Sequence, residues 1–219
     1  MALGRRPRRV AISALAVVAA SCTALSACGG TQYHYVKSTS DRTFVRVPSK
    51  WTLFNEDDLL KASDDSVETK TLFKKLTWSV AFDAAPKPSL EHLLTPSAHP
   101  TGLVQVRTLL PTQRDTFSLA DLRSLLLSYD PLSDEAQANG EVEVLDATEV
   151  RRGGGLHGSE LLLNVKTEAG EIVKWHQIAL TDASISKVHV LAIGCNEDCY
   201  SANEGVIDKI VDSWKVKEP

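Results

Sequence analysis

The chain has 219 residues, 43% of them hydrophobic and 24% charged, a composition that calls for a packed core and is long enough to bury about two-thirds of the unfolded surface without help from metals or many disulfides. The formal charge of −4 hides an asymmetry: Arg5, Arg6, Arg8 and Arg9 all precede the first acidic residue, Asp41, and without them 20 basic residues face 28 acidic ones, a net charge of −8. A body this acidic excludes a nucleic-acid footprint, which needs clustered Lys and Arg, and as a whole it is mildly repelled by anionic lipid.

The N-terminus runs from basic to apolar to small. "RRPRR" is followed by "VAISALAVVAA", Val10 to Ala20, and then by small residues down to Ala27. This is the layout of a secretory signal peptide, and an apolar run of 11 residues is too short to span about 30 Å of hydrocarbon. Leu25-Ser26-Ala27-Cys28 resembles the bacterial lipobox. That resemblance implies cleavage before Cys28, diacylglycerol on its sulfur and anchoring at the outer face of the cell membrane. The other readings are a cleaved signal with a stray Cys, or an uncleaved anchor. Two or three acyl chains hold a protein stably where one does not, which compensates for the acidic body. Arg8-Arg9-Val10 loosely resembles a twin-arginine signal, but paired arginines are common in such regions and the general secretory route is the expectation. Residues 1–27 are thus expected to be a cleaved lipoprotein signal peptide. Residues 28–40 are expected to be a lipidated Cys and flexible tether, and residues 41–219 one globular domain.

Cys22 falls in the discarded segment, so Cys195 and Cys199 in "GCNEDCY" remain. An exported protein meets oxidising conditions, and these two are expected to form a disulfide pinning a strand-to-helix corner. The alternative is a redox or metal pair. Glu197 and Asp198 disfavour a thiolate there, and the spacing is not C-x-x-C.

Along the body, "TFVRVPSKW" alternates and predicts a strand ending at Pro48, and "NEDDLLKASDD" predicts a short helix or loop. Strands are predicted over Leu76–Ala84 and Leu103–Leu110, with a proline-rich loop and one helical turn at Leu90–Leu93 between them. "SLADLRSLLLSY" predicts a helix over 118–129, opened by a Ser118/Asp121 capping box. Four strands follow, over Val142–Val150, Glu160–Thr167, Ile172–Leu180 and Lys187–Ile193, with "TEAGE" as a hairpin turn. A last helix is expected to start at a Ser201/Glu204 capping box and to carry an apolar stripe of Val206, Ile207, Ile210, Val211 and Trp214. Neighbouring strands with short turns imply an α+β fold, an antiparallel sheet of about six or seven strands covered by a few amphipathic helices.

The strand running into Pro48-x-x-Trp51, the later long hairpins and the final Ile210-Val211-Asp212-Ser213-Trp214 resemble the PsbP-like fold family. The resemblance implies an antiparallel sheet sandwiched by helices over about Thr43–Val216, and an accessory or interaction module instead of an enzyme. It identifies no partner.

"GGGLHG", Gly153–Gly158, satisfies G-x-G-x-x-G, but a strand follows where a dinucleotide site needs a helix. Arg151, Arg152, Gly153, Gly154 and Gly155 form a possible anion-binding loop, set against the reading of a solvated loop tip. Ser159 lacks the glycines of a nucleophile elbow, and no carboxylate is identifiable to orient His157. His176 and His189 meet only if their strands pair in the right register. No metal-ligand spacing is present, and no cofactor or metal is expected. Trp51, Trp78, Trp175 and Trp214 read as core, unless an exposed patch marks a partner surface.

The function expected is that of a lipid-anchored, non-enzymatic interaction or accessory module of the cell envelope, touching the membrane through its lipid and an envelope protein or other component through its surface. The alternatives are a binder of an apolar small molecule or lipid between sheet and helices, and, third, an envelope hydrolase using Ser159 and His157.

Overall fold

The protein is seen in a computed structural model that describes residues 32–217. The expected signal peptide and lipobox-like segment, with Cys28, lie outside the described residues. In chain order the elements are β1 (Tyr33–Ser38), β2 (Thr43–Pro48), β3 (Thr52–Asn55), α1 (Glu56–Ala62), α2 (Val67–Leu76), β4 (Thr77–Asp83) and β5 (Thr101–Thr108). Three short helices follow, α3 (Pro111–Arg114), α4 (Leu119–Arg123) and α5 (Asp134–Asn139). Then come β6 (Val142–Arg151), β7 (His157–Lys166), β8 (Ile172–Thr181), β9 (Lys187–Asn196), α6 (Glu197–Ser213) and β10 (Lys215–Val216).

The fold is α+β, built on a seven-stranded antiparallel sheet in the order β3-β4-β5-β9-β8-β7-β6. A second sheet, β1-β2-β10, was not anticipated. It lies with α6 over one face of the large sheet. Val36, Val45 and Val47 from the small sheet meet Phe82, Val104, Ile178, Leu191 and Ile193 from the large one, and Tyr200, Ile207, Ile210 and Trp214 complete this core. The other face carries two smaller clusters. Leu109 and Leu122 pack on Ala179, Val188, Val190 and Ala192, and Ala136 packs with Leu161 and Leu163.

Three expectations are corrected. The tether was expected to run to Ser40, yet Tyr33–Ser38 form β1, paired residue for residue with β2. The helix expected over 118–129 opens with its Ser118/Asp121 box but ends at Arg123. Buried Gln177 donates its side-chain amide to the carbonyls of Leu122 (2.9 Å) and Arg123 (3.3 Å), the acceptors that a continuing helix needs. A fork from Arg123 to Asp130, at 2.8 and 2.5 Å, then closes the following loop. The final helix starts not at Ser201 but at Asn196, whose side chain accepts from the Cys199 amide at 2.9 Å. Glu197 and Asp198 stand in its first turn, where the helix dipole favours negative charge.

Candidate functional site

A concavity lies on the face away from α6, between the 84–100 loop and the segment after α4. Its volume is about 210 Å³. Trp175 of β8 and Gly194 of β9 form the floor, Leu93, Leu94 and Pro96 one wall, Leu126 and Leu127 the other, and Val165 and Val173 the end. Each part has a local cause. Gly194 carries no side chain because a Cβ there would lie 2.3 Å from the Trp175 ring, so the indole rests directly on β9. Leu126 and Leu127 reach the cleft because Gln177 stops α4 just before them. The loop is tied down by Ala84 N–H donating to Pro100 O (2.9 Å) and Asn196 N–H donating to Ser97 O (2.8 Å).

Polar side chains line the cleft too, Thr95, Ser97, Thr101, Thr167 and His92, and a buried carboxylate fixes the last of these. Asp83, 1% exposed at the end of β4, accepts from the amides of Ala85 (2.8 Å) and Ser89 (2.9 Å) and from His92 Nδ1 (2.7 Å). A carboxylate only accepts, so the Nδ1 of His92 carries the proton and Nε2 is left to turn outward from the pair. Leu94, two residues on, is 88% exposed, and Leu126 is 37% exposed. The cleft is therefore mainly apolar, with hydroxyls of Ser and Thr in its lining, one oriented imidazole and an uncovered leucine at its mouth.

Of the residues singled out in the sequence, Trp175 and Cys195 line this cleft and the others do not converge on it. Cys195 and Cys199 are bonded and join the end of β9 to the first turn of α6. Gly154 and Gly155 take positive φ (68° and 77°), and a Cβ on Gly155 would lie 2.7 Å from that of Ala183, so these glycines serve a tight β6–β7 connection. The Arg152 guanidinium lies over the Trp214 ring at 5.4 Å, and that of Arg151 is 3.7 Å from Glu149. Ser159 is buried, and His157 Nδ1 bonds the Gly155 carbonyl (3.0 Å). His176 and His189 share the α6 face of the sheet, but they pair with Ile193 and Leu180, so they stand far apart along the strands.

His176 takes part in a different network that spacing did not reveal. Its Nε2 meets Glu160 Oε1 at 2.8 Å and its Nδ1 meets the Tyr200 hydroxyl at 3.4 Å. The hydrogen bond from His176 holds the Glu160 carboxyl below its usual range, and burial pushes the Tyr200 phenol up. The order carboxylate, imidazole, hydroxyl is that of a catalytic relay. Tyr200 is only 2% exposed, however, and Lys174 covers its ring at 5.0 Å, so the network fastens α6 to β7 and β8. Among the described residues no cluster of three or more His, Cys, Asp or Glu is placed to hold a metal, and no helix is long and apolar enough to cross a membrane.

No protein-family model matches the chain, and neither does any curated protein sequence. Similar solved structures include the cyanobacterial PsbP protein CyanoP of Synechocystis sp. PCC 6803, at 13% identity and a TM-score of 0.47 over 88% of this chain and 99% of that one. They also include the Saccharomyces cerevisiae Ran-binding protein Mog1p, at 11% identity and a TM-score of 0.43 over 85% and 96%. A third is LpqN, involved in cell envelope biogenesis of Mycobacterium tuberculosis, at 12% identity and a TM-score of 0.43 over 85% and 91%.

Proposed function

We propose that this is a lipid-anchored, extracytoplasmic interaction module, attached through Cys28 to the outer face of the cell membrane and binding an apolar segment of an envelope partner in the Trp175 cleft. The observation that carries the binding role is the cleft itself, a mainly apolar slot with an 88% exposed leucine at its lip. Its size favours a partner over a small ligand. About 210 Å³ lies below the roughly 300–1,000 Å³ of small-molecule sites, and suits one or two side chains presented by a larger body. The lipid anchor rests on the lipobox sequence behind its signal layout.

The test is affinity capture from solubilised envelope with the wild-type chain and with a Leu94→Asp/Leu126→Asp variant. Both positions are exposed, so stability is expected to change by no more than about 0.5 kcal/mol per site. A partner that seats in the cleft is expected to be recovered by the wild type and lost by about thirty-fold in the variant, the effect of removing a buried anchor. Equal recovery of every captured protein by both would remove the cleft from the account.

A further inference from the structure

The second sheet shows the core only one of its sides. Strand alternation turns Val36, Val45 and Val47 inward and Tyr33, Tyr35, Lys37, Phe44, Arg46 and Lys215 outward. Tyr35 is 60% exposed, and Lys37, Arg46 and Lys215 are exposed as well. The Tyr35 and Phe44 rings stack at 6.1 Å, and Arg46 lies over Tyr33 at 5.4 Å. This face is aromatic and cationic, and its three strands contain no Asp or Glu, on a body whose balance is strongly acidic.

Its position selects what it meets. Tyr33 opens β1 five residues after Cys28, and the four residue steps from Cys28 to Gln32 allow at most about 14 Å of chain. We infer that this outer face lies against the anionic headgroup surface of the membrane that holds the anchor, an inference that rests on the proposed lipidation of Cys28. Tyr rings settle at the level of the headgroups, and Lys and Arg near the surface attract anionic lipid. The acyl chains hold the protein at the membrane and this face orients the domain on it, its local charge opposing the overall charge of the domain. The small sheet covers one face of the large sheet and the Trp175 cleft opens on the other, so this orientation turns the cleft away from the bilayer.

The experiment is lysine acetylation of the mature, full chain reconstituted on vesicles of phosphatidylglycerol with phosphatidylcholine, or of phosphatidylcholine alone, read by peptide mass. Lys166, exposed at the end of β7, is the internal reference. Lys37 and Lys215 are expected to react at least five-fold more slowly than Lys166 on the anionic vesicles, and to lose most of that protection in phosphatidylcholine, in high salt, or in a Lys37→Glu/Arg46→Glu/Lys215→Glu variant. Equal rates throughout, on a chain whose N-terminal peptide carries acyl mass, would overturn the inference while leaving the anchor. Protection that appears only in native envelope and ignores lipid charge would mean a protein covers this face, and would overturn it too. An N-terminal peptide without acyl mass would remove the anchor reading. The face is then tested by sedimentation of the mature chain with the same vesicles, and failure to sediment with the anionic ones would overturn it.

Discussion

The two faces of the large sheet are covered in different ways. On one, a 17-residue helix and the small sheet close over a continuous core with Val45, Phe82, Ile193, Ile207 and Trp214 at its centre. On the other, helices of four to six residues and their loops cover two separate clusters, with the Trp175 cleft between the loops. A long amphipathic helix satisfies its own backbone and delivers a wide apolar stripe, so it seals a sheet. Short helices leave many free carbonyls and amides, and the side chains that satisfy them hold the loops apart. Stability is thereby concentrated on the sealed face and binding surface on the patched one.

The strongest way to break this contrast is to open the sealed face. Ile207, on the inner face of α6, is fully buried. Ile207→Ala is expected to cost about 2–5 kcal/mol, from lost burial plus the cavity left behind. Urea unfolding followed by circular dichroism would measure it. A loss below 1 kcal/mol would mean that α6 is not the main seal.

Acid should act on the same face. His189 sits on β9 beneath the small sheet, with Nδ1 at 2.8 Å from the Thr43 hydroxyl, and burial lowers its pKa to about 4. The Asp41 and Asp182 charges nearby raise it and Lys187 lowers it, but burial dominates. The unfolded chain therefore takes up this proton first as pH falls. Stability that is intact above about 6.5 is lost between 6.5 and about 4, by about 3 kcal/mol in all. Unfolding curves at pH 7 and pH 4.5 would show it, and His189→Gln should flatten the dependence in that window. The same slope in the variant would assign it elsewhere.

What was legible in the sequence follows the same division. The four hairpin strands β6 to β9 are apolar-rich runs set off by turn residues, and each was placed within a few residues of its observed bounds. The corner disulfide was legible because compartment and spacing left few other roles for Cys195 and Cys199. β1 was not, because "YHYVKS" buries only Val36 and Ser38 and looks like tether until β2 is beside it. α2 buries no residue at all, so it carries no core-facing stripe to read. The cleft was out of reach. It draws on residues near 92–97, 126–127, 165–175 and 194, and its second wall exists because Gln177, more than fifty positions away, takes the carbonyls of α4. A side chain that ends a helix from another strand leaves no local mark.

The smallest expected effect tests the patched face itself. A Cβ on Gly194 would stand 2.3 Å from the Trp175 ring and 2.6 Å from the Lys174 carbonyl oxygen. The carbonyl belongs to the β8–β9 ladder and yields little, so the indole has to move, and the direction open to it is into the cleft. Gly194→Ala is expected to cost about 1–3 kcal/mol as overpacking. It should also change the Trp175 fluorescence and reduce partner capture as strongly as the Leu94→Asp/Leu126→Asp variant does. The sealed face should keep its acid response, because His189 lies elsewhere along β9, opposite Leu180, on the other side of the sheet. Stability lost with capture retained would place the partner outside the floor of the cleft. Capture lost with the acid response unchanged would show that the two faces of one sheet fail independently.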